Sequence, residues 1–122
     1  MYNERISKLI QRTIRKLNTA NPFTICEMLG IIVVEQSLVD TRGIYHYFKR
    51  NKIICIDSGL SDREKMFVCA HELGHALMHT KVNSLFLSKK TFFETAWYEI
   101  EANQFATQLL KVYAQEFGGE IE

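Results

Sequence analysis

Proline is nearly missing from this chain: Pro22 is the single one among 122 residues. No Pro-rich linker, repeat or low-complexity tract interrupts the order of elements, and the length suits one domain with a real core but not two. Long hydrophobic runs are missing as well. The most apolar stretches, such as "GIIVV" at 30–34, are far short of a bilayer span, and "MYNERISK" carries charges where a signal peptide would be apolar. The expectation is a cytoplasmic protein with no membrane partner. A charge excess is also lacking, since 15 Lys and Arg face 14 Asp and Glu. A balance of +1 exerts no pull toward nucleic acid or anionic lipid, so direct nucleic-acid binding is not expected. Cysteines are few and odd in number. Cys26, Cys55 and Cys69 are widely spaced in apolar runs, which reads as buried free thiols and excludes a four-cysteine zinc site.

What the chain does have is a concentration of histidine. Of four histidines, three fall in "FVCAHELGHALMHT" at intervals of four: His71, His75 and His79. On a helix they form one slowly drifting stripe. "DSGLSDREKMFVCAHELGHALMH" has helical periodicity, and Ser61 three residues before Glu64 is a capping-box signature, so a helix is expected from about Asp62 to His79.

The remaining elements follow from the same rules. Ile6, Leu9, Ile10, Ile14 and Leu17 recur at helical spacing, with a basic, solvated face opposite. Asn21 before Pro22 reads as the cap of a short helix stopped by Gly30. "IIVVEQ", "RGIYHYFK" and "KIICID" are β-rich runs and predict three antiparallel strands within 31–57. After a connection at 81–93, "ETAWYEIEANQFATQLLKVYAQEF" (94–117) predicts a second long helix ended by Gly118-Gly119. The fold class is therefore α+β. A small three-stranded antiparallel sheet packs with the N-terminal helices of 1–30 and two long helices, all in one domain spanning 1–122.

His71-Glu72-Leu73-Gly74-His75 is an H-E-x-x-H pattern, in which two histidines one helical turn apart bind a zinc ion. Glu72 projects beside that face, where it can take a proton from a water acidified by the metal, the chemistry of amide hydrolysis. The alternative is a core helix with incidental histidines. Apolar flanks weigh against it, and so does Gly74, whose cost to the helix implies a close approach by the sheet or another helix.

A catalytic zinc needs a third protein ligand, for which His79, Glu94, Glu99 and Glu101 are candidates. His79 is two turns from His71 and cannot easily converge on the same ion, so it reads as a supporting residue. On the last helix Tyr98, Ala102, Phe105, Ala106, Leu109, Leu110 and Tyr113 form an apolar stripe. Glu99 falls inside its edge and Glu101 farther round, making Glu99 the expected ligand and Glu101 the reserve. Asn103, one turn after Glu99, is placed to support a ligand imidazole. Tyr98 and His79 are candidate oxyanion donors, and Phe86, Phe92, Phe93 and Trp97 candidate groove residues.

"AHELGHALMH" followed by "EIEANQFATQLL", with "NPFTICEMLGIIVVEQSL" and "RGIYHYFKRNKIICIDSGLSDREKMFVCAHELGH" upstream, resembles the ImmA/IrrE family of compact gluzincin-type zinc metallopeptidases of phages, mobile elements and bacterial genomes. The likeness covers roughly residues 20 to 111. It implies an endopeptidase that binds one zinc ion per chain through His71, His75 and Glu99, uses Glu72 as catalytic glutamate, and cuts a helix-turn-helix transcriptional repressor. One departure is Leu109-Leu110-Lys111-Val112, where the family often has Leu-Leu-Met-Pro. Two further readings stand beside protease: a related module that grips a regulator without cutting it, and a toxin or antitoxin-like component of a mobile element.

Overall fold

A computed structural model describes residues 3–81 and 92–118, together with the backbone but not the side chains of 92–95 within them. The element order is α1 (Glu4–Leu17), α2 (Pro22–Met28), β1 (Ile32–Gln36), β2 (Gly43–Phe48), β3 (Asn51–Asp57), α3 (Asp62–Met78) and α4 (Phe92–Glu116). The class is α+β, as the periodicities predict.

Capping residues set the helix boundaries. The Asn21 side chain accepts from the backbone N–H groups of Phe23 and Thr24, and Pro22 occupies the first helical position, where its missing N–H costs nothing. Ser61 and Glu64 form the complete capping box at the start of α3, an arrangement worth about 1 kcal/mol. Gly30, with φ +73°, turns the chain from α2 into β1.

The sheet departs from the expected antiparallel arrangement. Its strand order is β1-β3-β2, with β2 antiparallel to β3 and β1 parallel to it. The hairpin between β2 and β3 turns on Lys49 and Arg50, both with positive φ, the mirror-image turn geometry that matches strand twist. β3 carries the fully buried Ile54 and Ile56 and takes the centre, while β1 is an edge strand exposed along most of its length. The chain crosses from β1 to the far edge over the end of β3. There Asp57 accepts from the Leu38 N–H through its side chain and donates its own N–H to the Arg42 carbonyl, and the Ser58 N–H bonds the Gln36 carbonyl.

α3 lies between the sheet and α4 and is buried on several sides, which explains why Val68, Cys69, Ala70, Leu73 and Ala76 do not form one narrow stripe. Two glycines permit this packing. A Cβ on Gly74 would lie 3.2 Å from Phe105 side-chain atoms of α4, the close helix approach that its cost implied. A Cβ on Gly43 would lie 2.4 Å from Val68 Cγ1 and 3.3 Å from Glu72 Cγ, so the start of β2 rests directly on α3 beside the glutamate of the motif. α1 buries Ile6 and Ile10 and packs on α4. Cys26 and Cys69 are buried with their sulfurs 4.0 Å apart, Cys55 is half-buried, and all three are free thiols. Among the described residues, no helix is long and apolar enough to cross a membrane.

Candidate metal centre

The first two histidines of α3 point their Nε2 atoms at one carboxylate of α4. His71 Nε2 lies 2.9 Å from Glu99 Oε1, and His75 Nε2 lies 3.0 Å from Glu99 Oε2. Among the described residues, His71, His75 and Glu99 form a group able to share an ion, each offering one ligand atom within 4.8 Å of the others. Two nitrogens and an oxygen form a donor set characteristic of catalytic zinc.

One observation tests whether these residues suit a metal. His75 is 1% exposed at its side chain, yet among the described residues its Nε2 makes no hydrogen bond of good geometry, although Glu99 Oε2 stands 3.0 Å away. A buried, unpartnered ring nitrogen is costly in a core. A cation between it, His71 and Glu99 would satisfy it.

The remaining faces of these candidate ligands are supported. His71 Nδ1 lies 2.8 Å from Asn103 Oδ1, so with a metal on Nε2 the Nδ1–H donates to the amide oxygen. His75 Nδ1 lies 3.2 Å from His79 Nδ1. Burial of Glu99 opposes its charge, but the imidazoles of His71 and His75 outweigh it and bring its pKa down to about 2. Burial likewise disfavours charging His71, and Glu99, Glu72 and Asn103 together overcome that and raise it.

Glu72 stands beside this cluster with a different character. Burial pushes its pKa up, with the Glu99 charge adding to the rise and the His71 and His75 rings opposing it. Among the described residues its buried Oε1 has no hydrogen-bond partner. It also lines a cavity of about 510 Å³ between the start of β2, α3 and α4, together with His71, Glu99 and Asn103. A carboxylate biased toward holding a proton, at the wall of a cavity, suits acid–base chemistry there.

Several residues take positions that spacing did not show. Glu101, expected farther from the core than Glu99, is 2% exposed and more deeply buried than its neighbour. It is one turn before the buried Phe105, and its carboxylate lies on His79 and Arg5, away from the three donor atoms. His79 and Tyr98 do not line the cavity. The Tyr98 ring packs edge-on against His79, with centroids 4.7 Å apart. Trp97 is largely exposed and outside the cavity, while Phe86 and the side chains of Glu94, Phe92 and Phe93 lie outside the described residues. The cavity wall instead includes Arg42, Gly43, Arg63, Phe67 and Val68, which had no motif to mark them. For Phe67 and Val68 a signal existed, since they precede His71 by about one turn on the same helix.

The chain also resembles known proteins along most of its length. The model of the IrrE N-terminal-like domain of peptidase family M78 matches residues 26–115, which include α3 and nearly all of α4. An uncharacterized immunity region protein 2 of Bacillus phage phi105 is 43% identical over 106 residues, covering 86% of this chain and 67% of that protein. Metallopeptidase ImmA of Bacillus subtilis (strain 168) is 26% identical over 105 residues, covering 86% of this chain and 62% of its own length. The chain thus spans about two thirds of the phage protein and somewhat less of ImmA. From its core through the histidine helix to the carboxylate helix, the chain belongs to the ImmA/IrrE family of metallopeptidases.

Proposed function

We propose that this chain is a zinc-dependent endopeptidase, acting in the cytoplasm as a single domain. Its substrate is a specific regulatory protein, a helix-turn-helix transcriptional repressor of a phage, mobile element or stress response. The observation that carries the reading is the convergence of His71, His75 and Glu99 beside Glu72 at the wall of one cavity. The phage relative's designation as an immunity region protein supports a substrate among the regulators of lysogeny.

His71, His75 and Glu99 would hold the zinc. When bound, it supplies Lewis acidity that polarises a peptide carbonyl and acidifies water. The chain's own residues do the rest. Glu72 takes up the proton lost by the attacking water and passes it to the departing amine, a role helped by a carboxyl that burial makes more basic. Asn103 keeps His71 oriented through Nδ1. Gly43 lets the start of β2 reach the cavity wall without displacing Glu72.

The test is incubation of the purified, zinc-loaded chain with helix-turn-helix repressors from the same genome, followed by separation of fragments. Wild type is expected to cut at a discrete bond, and Glu72→Gln to lose cleavage by roughly 10²- to 10⁴-fold while keeping its zinc. Tight binding of the repressor by both proteins without fragments would favour the non-cleaving module instead. The intact Glu72, unpartnered at Oε1, argues against that second reading.

A further inference from the structure

Behind His75, on the side away from the cavity, lies a line of polar groups that the proposed chemistry does not use. His79 Nδ1 lies 3.2 Å from His75 Nδ1, and His79 Nε2 lies 2.8 Å from Glu101 Oε1. The other oxygen of Glu101 pairs with the guanidinium of Arg5 on α1. His79 and Glu101 are both buried, whereas the Arg5 side chain is 61% exposed. The line therefore runs from a ligand imidazole through two buried groups to the surface of the N-terminal helix. A carboxylate as deep as Glu101 is costly unless paired, and among the described residues Arg5 and His79 pair with it.

Hydrogen-bond bookkeeping gives this line a direction. An imidazole that offers Nε2 to a metal carries its proton on Nδ1, so His75 Nδ1–H must donate. The acceptor is His79 Nδ1, which must then be unprotonated, leaving the His79 proton on Nε2. That N–H donates to Glu101 Oε1, and Arg5 donates to Glu101 Oε2. With this assignment every donor meets an acceptor, whereas a proton on His79 Nδ1 would set donor against donor. His71 receives equivalent support from Asn103 in a single step.

We propose that Arg5, Glu101 and His79 form a positioning relay that fixes the tautomer and ring orientation of His75. The relay makes α1 part of the metal centre although none of its three residues belongs to the ligand set. Arg5 lies on α1, outside residues 26–115, the segment matched by the family model, so the family match does not itself supply this contribution. The inference rests on the metal-site reading above.

The test compares wild type with Glu101→Gln, Arg5→Ala and Arg5→Lys. Zinc affinity is read by chelator competition, the cobalt(II)-substituted absorption spectrum reports ligand geometry, and melting of the metal-free proteins reports the fold. Glu101→Gln keeps an acceptor for His79 but loses the charge that pairs with Arg5. It is expected to weaken zinc binding by about 10- to 100-fold, the usual range for a partner behind a metal-bound histidine, and to shift the cobalt spectrum. Arg5→Ala is expected to shift both readouts in the same direction by less, and Arg5→Lys to restore them. Should Glu101→Gln fail to fold, the two substitutions at the exposed Arg5 decide the matter. Lowered melting with zinc affinity and cobalt spectrum unchanged in the folded variants would make the line a mere structural tie and overturn the relay. Absence of zinc binding in wild type would instead overturn the metal-site reading itself.

Discussion

Glu99 and Glu101 are separated by one residue on α4, and both meet the histidine stripe of α3. Glu99 is 38% exposed at its side chain, opens onto the cavity, and faces two imidazole nitrogens, one of them without a hydrogen-bond partner. Glu101 is nearly inaccessible, and each of its oxygens is already engaged, one by His79 and one by Arg5. The first arrangement aims a carboxylate at two imidazole nitrogens that could share a cation with it, and the second ties a carboxylate to a histidine and an arginine outside that group. Side-chain direction thus separates two carboxylates of identical chemistry into a candidate ligand and a buried partner of His79 and Arg5.

Exchanging their consequences gives the largest expected effects. Glu99→Ala should abolish stoichiometric zinc binding, while Glu101→Ala should still bind zinc at saturating metal but lose stability. Stripping Glu101 leaves His79 without its acceptor and Arg5 without its partner, at a cost of roughly 2–3 kcal/mol. Metal content per chain and denaturant unfolding of the two variants check this crossing. If Glu101→Ala lost zinc at saturation and Glu99→Ala kept it, the ligand assignment would be reversed.

A substitution between the two candidate histidine ligands should blur the comparison. Gly74→Ala places a methyl 3.2 Å from the buried Phe105, and α4 must give way to accommodate it. Overpacking costs about 1–3 kcal/mol, partly offset by the roughly 1 kcal/mol that alanine gains over glycine within a helix. Net destabilisation near 1 kcal/mol is expected, accompanied by weaker zinc binding, because both carboxylates ride on the displaced helix. A variant as stable as wild type with unchanged zinc affinity would show that the close contact of α3 and α4 does not set the site.

The smallest effect concerns pH. The pKa of Glu99 in the fold is about 2, below its ordinary 4.5, so its ionised form stabilises the metal-free protein. That contribution is complete above the ordinary value and is lost as pH falls from about 4.5 toward about 2. Because the group is partly exposed, solvent screening limits it to about 1 kcal/mol or less. Metal-free Glu99→Gln should therefore melt slightly below wild type at pH 6 and alongside it near pH 2. A deficit that persisted unchanged at pH 2 would assign the loss to packing.

How much of this was legible in the sequence depends on how local the information is. His71, Glu72 and His75 lie on one helix with a fixed rise and rotation, so their spacing nearly determines their mutual placement. Glu99 required a second helix, but its angular position at the edge of an apolar stripe pointed to the side on which it meets them. The same wheel misplaced Glu101. It measured Glu101 against Gln108 rather than against Phe105 one turn away, and it held no sign of Arg5, which is 96 residues distant and shares a helix with solvated cations. Strand order was hidden for a related reason. Alternation marks where strands are, whereas the central place of β3 follows from the chain's crossing at Asp57, a non-local contact. Gly74 could be read as a sign of close approach, but not which element approached.

The central claim is tested most directly by metal content per chain after zinc reconstitution and removal of excess metal, measured for wild type, Glu72→Gln and Glu99→Ala. One zinc per chain in wild type and in Glu72→Gln, with none retained by Glu99→Ala, is the predicted result. No zinc in wild type, or full retention by Glu99→Ala, would contradict it.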